Sequence, residues 1–461
     1  MSVSPRWELP DGGAVHIVGA GGAGMSALAK ILAGLGYRVT GSDLKPGRTL
    51  EALGDLGIET WVGHRPEAAA ASDLVVASSA VPASDAELGA ARSAGVTVWM
   101  RPALLEALTA SRPAIGFAGT HGKTTTTAMA VTALRAIGED PTFIVGGEMR
   151  ALNTGAHLGT GRLFALEADE AFGTFRHLHL DGLLVTNIEP DHLDYYGTVA
   201  ALEEAFALVA NRVDGPVVGC IDDPGVRRLA QRAEVLGYGT GAGAAWQMRD
   251  VEHGAGTIGF VLGAPGGAAV EVDVPLPGLH VARNAAGVIT LLASLGFDPG
   301  SVAHGLAEYG GVRRRFEVRG RIGGVTVVDD YAHHPTEIAA TIDAGRLGGW
   351  DRVVTVFQPH RYTRTADLAP DFGVPLAAAD VTYVTDVYAA GEPPIPGVSG
   401  KLVAEAVSAA GGDVVYVPAL ADAVDRVVEA SRPGDLVLLL GAGDITGVAE
   451  PLLSLLGGGA P

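Results

Sequence analysis

The stretch Ile115-Gly116-Phe117-Ala118-Gly119-Thr120-His121-Gly122-Lys123-Thr124-Thr125-Thr126-Thr127 decides the fold of this chain. A short apolar run leads into a glycine turn and then into residues that a helix accepts, which is the order strand, loop, helix. In such a unit the loop N–H groups and the helix N-terminus converge on an anion. Lys123 supplies charge for the terminal phosphates, and the Thr124 hydroxyl is a ligand for a divalent cation. The loop is shorter than the usual P-loop, because Phe117 stands five residues before Gly122, where that motif has glycine. The expected ligand is ATP, held by Gly119, Thr120, His121, Gly122, Lys123, Thr124 and Thr125.

The same event occurs twice more, at Val15-His16-Ile17-Val18 before Gly19 and at residues 436–440 before Gly441. Further buried-strand candidates lie between these units, at Leu74-Val75-Val76-Ala77, Leu183-Leu184-Val185-Thr186 and Val353-Val354-Thr355-Val356. Repeated strand–turn–helix units build parallel sheets with ligands at the strand C-termini, so the class is α/β. One boundary falls near Ser111-Arg112-Pro113, a second composition shift follows Pro277-Gly278 and the helical segment 284–295, and a new strand system at residues 325–330 starts after Arg313-Arg314-Arg315. Residues 240–274 are glycine-rich with alternating polarity and read as a small antiparallel insertion.

At 461 residues the chain exceeds one hydrophobic core. Its net charge of −20 argues against nucleic-acid binding, since Arg313 to Arg315 is too short a basic run to track a phosphate backbone. The lone cysteine, Cys220, excludes a disulfide framework and reads as a packed core thiol. No run approaches the length of a membrane span, and no signal sequence is evident, so the expected location is the cytoplasm, without a membrane partner.

Gly19-Ala20-Gly21-Gly22-Ala23-Gly24 fits the G-x-G-x-x-G dinucleotide fingerprint, and Asp43 follows the next strand at the distance of a ribose contact. These residues support a diphosphate, and the nucleotide that carries it stays open. Two acid groups, Glu167-Ala168-Asp169-Glu170 and Asp191-His192-Leu193-Asp194, each follow a strand, where oxygen ligands for a hard cation are wanted. Lysine is scarce: the four are Lys30, Lys45, Lys123 and Lys401, so Lys123 is alone in the middle of the chain.

Together these motifs resemble the Mur ligase family, over nearly the whole chain. The resemblance includes Gly19 to Ser26, the Gly119 loop, both acid groups, Thr186-Asn187-Ile188-Glu189-Pro190, Arg314-Arg315-Phe316-Glu317 and Asp329-Asp330-Tyr331-Ala332-His333-His334-Pro335-Thr336-Glu337. Phe357-Gln358-Pro359-His360-Arg361-Tyr362-Thr363-Arg364-Thr365 and Asp386-Val387-Tyr388-Ala389-Ala390-Gly391-Glu392 place it on the alanine-adding branch.

The resemblance implies three domains: an N-terminal Rossmann-like domain (1–111), a central P-loop ATPase-like parallel sheet (112–314) and a C-terminal Rossmann-like domain (315–461). It implies an ATP-dependent ligase of peptidoglycan precursor synthesis, with UDP-N-acetylmuramate and L-alanine as small-molecule substrates. The chain would act as a monomer or weak homodimer, with Mg²⁺ as cofactor and Mn²⁺ as its substitute. The diphosphate would then be that of UDP, held by Gly19, Gly21, Gly22, Gly24, Met25 and Ser26, with Asp43 and Ser79. Lys123, Glu167, His192 and Arg315 would be catalytic, and Thr124, Glu167 and His192 would hold metal. His280 and Asn284 would meet the adenine, Arg315 the γ-phosphate, and Asp330 the ribose or phosphate side. Arg361 and Arg364 would clamp the alanine carboxylate, with Tyr331 and His334 nearby. His333 and His334 read equally well as helix-cap or packing residues.

Three departures stand out. Some relatives use a carbamylated lysine beside the second metal, and no lysine exists here between Lys123 and Lys401. Val281 replaces a common Asn, and Met100-Arg101-Pro102-Ala103 replaces a more acidic stretch, so no role is carried onto Arg101. The competing readings are a ligase recycling pre-made peptide, which would differ at residues 357–365; a dinucleotide-dependent regulator or oxidoreductase, which has no use for Lys123, Glu167 and His192; and a non-catalytic nucleotide-binding scaffold.

Overall fold

The computed structural model describes residues 7–458 and contains three sheets. The first holds β1 (Ala14–Val18), β2 (Arg38–Asp43), β3 (Glu59–Val62), β4 (Leu74–Ala77) and β5 (Thr97–Met100), all parallel, in the order β3-β2-β1-β4-β5. The strand order reverses at β1, which opens a crevice beside the Gly19 turn.

The second sheet contains β6 (Ala114–Ala118), β7 (Thr142–Met149), β8 (Thr154–His157), β9 (Phe164–Glu167), β10 (Gly182–Val185), β11 (Val217–Cys220) and β12 (Leu236–Gly239). It continues through β13 (Trp246–Gly254), β14 (Thr257–Gly263) and β15 (Ala269–Val274), in the order β15-β14-β13-β12-β11-β10-β6-β9-β7-β8. The last three are sequence neighbours joined by short turns, which only antiparallel strands allow, so the insertion expected at 240–274 extends this sheet. Cys220 closes β11 and is buried, as a core thiol should be.

The third sheet has β16 (Glu317–Ile322), β17 (Val325–Asp330), β18 (Arg352–Phe357), β19 (Val381–Val384), β20 (Val414–Tyr416) and β21 (Asp435–Leu440), in the order β16-β17-β21-β18-β19-β20. All neighbours are parallel except the edge pair β16–β17. Its strands β17 and β21 are buried along their whole length, which suits the three valines of β17 and the unbroken Leu436-Val437-Leu438-Leu439-Leu440 run of β21.

By packing, the chain forms two compact units. One runs to Met248 and takes in Leu262–Val270 and Asn284–Glu308; the other holds Arg249–Val261, Glu271–Arg283 and the chain from Tyr309 onward. The first unit joins two segments read separately in the sequence, for a physical reason. A single hydrophobic core runs from Val15, Leu28 and Leu32 to Ile144, Ala156 and Phe206. The helix Ala23–Gly34 reaches the second sheet at Gly34, where a Cβ would meet Leu158 at 2.9 Å, and Lys30 Nζ donates to Thr154 Oγ1 at 3.4 Å.

The helix Lys123–Ala136 explains its own composition. Every residue from Thr124 to Val131 is buried, so no charge appears between Lys123 and Arg135. A run of β-branched threonines is a poor helix former in water. Here Thr126 and Thr127 satisfy their hydroxyls on the carbonyls of Gly122 and Lys123, each at 2.8 Å, which makes them tolerable in an apolar setting.

Candidate active site

Register places the Gly119 loop between two strand exits. Phe117 of β6 pairs with Glu167 at the end of β9, and Ala118 pairs with Val185 at the end of β10. The residues after β10 brace the loop. Asn187 accepts from Thr120 N–H through its carbonyl (3.1 Å) and from His121 N–H through Oδ1 (2.9 Å), and its Nδ2 donates to the His121 carbonyl (3.0 Å). Thr186 Oγ1 donates to that same carbonyl at 2.6 Å, and Thr120 Oγ1 accepts from Glu189 N–H at 2.9 Å. His121 Nε2 lies 3.5 Å from Glu189 Oε2. Thr186 and Asn187 were part of a motif in the sequence, but their bracing role was not visible there. Asn284 also packs on this loop, its Oδ1 lying 3.2 Å from where a Cβ of Gly122 would be.

Lys123 Nζ donates to the Gly119 carbonyl (2.7 Å) and to both Glu170 oxygens (2.9 and 2.8 Å), with Asp169 at 3.8 Å. Burial, which disfavours the charged ammonium, is outweighed by Glu170 and Asp169, so its pKa is raised. Glu170 is itself 1% exposed, so the four-residue acid group divides its labour. Glu170 partners Lys123, while Glu167 Oε1 accepts from Gly146 N–H at 2.5 Å. Thr124 and Thr125 are buried on the first helical turn. His192, at φ 53, precedes the short helix Leu193–Tyr196, and its N–H donates to Asp191 Oδ1 at 2.7 Å. Among the described residues neither Glu167 nor His192 belongs to a cluster of three close His, Cys, Asp or Glu ligand atoms.

At the first glycine turn Gly22 precedes the helix Ala23–Gly34, whose first turn buries Met25 and Ser26. Asp43 Oδ2 accepts from Gly21 N–H at 3.0 Å and Oδ1 from Lys45 N–H at 3.0 Å. Asp43 thus shapes the glycine turn, a role that the ribose reading did not include. Ser79 is exposed just beyond β4, and the serine packed against Gly19 is Ser78. Arg101, left without a role by the sequence, lays its guanidinium on the turn: a Cβ on Gly24 would sit 3.0 Å from its Cζ. Its Nε is buried with no hydrogen-bond partner among the described residues.

In the second unit Arg315 is held by a strained turn. Arg314 (φ 59) and Phe316 (φ 47) flank it in the left-handed region, at a cost of order 1–3 kcal/mol each. Asp330 secures the turn by accepting from Phe316 N–H and Ala332 N–H, both at 2.7 Å. Both carboxylate oxygens therefore carry backbone bonds, and Asp330 is a structural clasp in addition to whatever it offers a ligand. Burial pushes its pKa up to about 6 against the pull of Arg315. Arg315 lies 5.0 Å above the Tyr331 ring and 3.9 Å from Glu337, and Arg314 stacks on the same ring at 4.9 Å.

His334 is the N-cap of the helix Pro335–Leu347, and Glu337 accepts the N–H groups of His333 (3.1 Å) and His334 (3.2 Å). The helix-cap alternative thus describes His334. His333 Nδ1 contacts the Tyr331 carbonyl at 2.9 Å; a carbonyl only accepts, so Nδ1 carries a proton. His280 folds over Gly278 on the first turn of the helix that also carries Asn284, and burial and Arg283 push it down to about 4.

The two arginines expected to act as a clamp differ. Arg361 Nε is paired with Glu392 Oε1 at 2.6 Å, and its backbone sits at φ 71. Arg364 has no carboxylate partner among the described residues, and its Nη1 lies 3.4 Å from His360 Nδ1. Burial, His333 and Arg364 push His360 down to about 4, so a neutral ring faces this cation.

Three family models cover the chain: the Mur ligase family catalytic domain over residues 14–113, the Mur ligase middle domain over 117–292, and the Mur ligase glutamate ligase domain over 314–443. The chain is 45% identical to the UDP-N-acetylmuramate–L-alanine ligase of Kineococcus radiotolerans over 96% of each chain. It is 42% identical to the protein of that name from Cutibacterium acnes over the full length of both. The crystal structure of UDP-N-acetylmuramate-alanine ligase MurC from Thermotoga maritima matches with a TM-score of 0.82 and 28% identity, covering 96% of this chain and 99% of that one. With the phosphate loop, the acid-bearing strand exits and the Arg315 turn in place, this chain belongs to the Mur ligase family.

Proposed function

We propose that this enzyme joins L-alanine to the lactyl carboxylate of UDP-N-acetylmuramate, using ATP, in the cytoplasmic synthesis of peptidoglycan precursors. The observation that carries the reading is identity of 41–45% over nearly the whole chain to relatives named for this reaction. The carboxylate attacks the γ-phosphorus, the bond to the β-phosphate oxygen breaks, and ADP leaves. The free amine of alanine then attacks the acyl phosphate carbon, and inorganic phosphate leaves as the amide forms. Anion meets anion in the first step, so alignment and charge neutralisation are what the protein must supply. In this reading Lys123 meets the phosphates and the N–H groups at the start of the helix Lys123–Ala136 orient them, those of Thr120 and His121 being taken by Asn187. The part given to Arg315 rests on the resemblance alone.

Thr124, Glu167 and His192 would hold magnesium, or manganese in its place. The hydroxyl and carboxylate suit a hard cation, and Gly146, lacking a side chain, leaves the Glu167 carboxylate room. His192 departs from that preference and enters by resemblance. When bound, the metal supplies positive charge to the phosphoryl oxygens. We assign the UDP-sugar to 1–111, ATP to 112–314 and alanine to 315–461, in a monomer or weak homodimer. Among the described residues no helix is long and apolar enough to cross a membrane.

Phosphate release with UDP-N-acetylmuramate, ATP and Mg²⁺, tested with L-alanine, glycine, L-serine, D-glutamate and tripeptide in turn, decides the matter. Release with tripeptide and not with L-alanine would establish the recycling reaction instead. Two substitutions test the substrate assignments. Arg364→Ala should raise the alanine KM about a hundredfold, the worth of a charge-assisted hydrogen-bonded pair, with the KM for ATP unchanged. Arg101→Ala should raise the KM for the UDP-sugar about tenfold and leave that for alanine alone. An equal effect on all substrates would count against either assignment.

A further inference from the structure

We propose that Glu392 is a positioning residue for the amino-acid substrate: by clasping Arg361 and Thr363 it holds the loop 358–364 in the shape that leaves the Arg364 guanidinium open to a free carboxylate. The inference rests on the reading of this region as the amino-acid site.

Three donors converge on the Glu392 carboxylate. Arg361 Nε and the Thr363 hydroxyl reach Oε1 at 2.6 and 2.7 Å, and Thr363 N–H reaches Oε2 at 3.0 Å. The loop 385–392 is fastened to the loop 358–364 at a second point. Arg361 N–H donates to the Tyr388 carbonyl (2.9 Å), Tyr388 N–H donates to the Pro359 carbonyl (2.8 Å), and the His360 and Tyr388 rings stack at 5.6 Å. Arg361 at φ 71 and Ala390 at φ 49 are conformations that non-glycine residues keep only where their surroundings over-determine them. The clasp is what over-determines Arg361. Burial would raise the Glu392 pKa, but Thr363 and Arg361 outweigh it and hold the group at about 2, so the clasp is charged throughout the working range.

Glu392 thereby answers the charge of Arg361 and leaves that of Arg364 unanswered. Arg364 faces a neutral His360, with His333 beyond it at a ring distance of 5.9 Å. In a chain of net charge −20, a guanidinium kept clear of carboxylates by its neighbours is suited to bidentate recognition of a substrate carboxylate. Because an α-amino acid carries its amine next to its carboxylate, the cation that seats one also aims the other. Misplacing Arg364 should therefore weaken capture of alanine before it affects the phosphoryl step.

The test is steady-state kinetics on the full chain with all three substrates varied. Glu392→Gln should raise the alanine KM about tenfold, with kcat at saturating alanine and the KM values for ATP and UDP-N-acetylmuramate within about twofold of the parent. Thr363→Val, a milder change that keeps the backbone donor, should raise it about threefold. Arg361→Gln should match Glu392→Gln, and the double variant should be no worse than either, because the pair acts as one unit. An unchanged alanine KM in Glu392→Gln, a lowered one (Glu392 then competing with substrate for Arg361), or additive effects in the double variant would each overturn the proposal. If Arg364→Ala raises the alanine KM while Glu392→Gln does not, only this inference fails. If Arg364→Ala leaves it unchanged, the amino-acid site itself has been misread.

Discussion

Replacing Lys123 by alanine is expected to lower kcat for phosphate release by at least about a thousandfold, because a preorganised cation at transferring phosphate charge is among the largest single contributions a protein makes. No other lysine lies between residues 46 and 400, so nothing of the same type can substitute. The same change has a second effect that must be separated from the first. Glu170 is 1% exposed and meets Lys123 at 2.8 Å; removing one partner of a buried pair leaves an uncompensated charge, costing about 3–5 kcal/mol. Lys123→Ala should therefore be both inactive and less stable. The double variant Lys123→Ala/Glu170→Gln should recover most of the lost stability in urea unfolding and none of the turnover. Recovery of turnover along with stability would show that Lys123 only holds the fold together. Glu170→Gln alone, which keeps hydrogen-bonding capacity but removes the charge, should retain turnover within about tenfold. A loss as large as that of Lys123→Ala would assign Glu170 a direct part in the chemistry.

The contrast between Lys123 and Glu170 shows what the sequence could and could not disclose. Lys123 was legible because a strand, a glycine turn and a helix start leave its position little freedom, and the parallel sheets follow from the same strand–turn–helix repetition. The division of Glu167, Asp169 and Glu170 was not legible. It depends on how the chain leaves β9 through the stretch Ala171–His177, where Phe172 takes φ 54, and no spacing rule encodes that turn. Arg101 escaped notice for a related reason. It is the first residue of the helix Arg101–Ala110, and only the packing of that helix brings its guanidinium onto Gly24. The Arg361–Glu392 pair joins loops that are separate in sequence, and the two arginines of one motif looked interchangeable until a tertiary partner distinguished them. The shared core of the first unit was equally hidden, because it rests on the helix Ala23–Gly34 meeting a strand in the second sheet. Local backbone geometry was readable wherever one conformation was demanded, and a charge's partner was unreadable wherever a long-range contact supplies it.

Gly119→Ala is the second substitution expected to have a large effect, and Gly122→Ala is its control. Both glycines have positive φ, 127 and 86, so each alanine carries a backbone penalty of about 1–3 kcal/mol. The sites differ in what a Cβ would meet. At Gly122 it would approach the Asn284 side chain at 3.2 Å, and an amide head can turn aside. At Gly119 it would overlap Thr186 Oγ1 and lie 2.9 and 3.0 Å from the carbonyl oxygen and nitrogen of Asn187, which are backbone. Asn187 in turn holds the N–H groups of Thr120 and His121, so making room there breaks the brace that fixes the loop ahead of the N–H groups at the helix start. Gly119→Ala should cost about 3 kcal/mol or more in urea unfolding and weaken ADP binding, read by calorimetry, at least about a hundredfold. Gly122→Ala should cost roughly half that stability and about tenfold in affinity. Adding Thr186→Ala to Gly119→Ala should not restore ADP binding, because the Asn187 backbone still blocks the Cβ; restoration would mean that the hydroxyl alone sets the clash. ADP affinity within about threefold of the parent in Gly119→Ala would show that the loop tolerates displacement, and the preorganised phosphate cradle inferred from Asn187 and Thr186 would have to be abandoned.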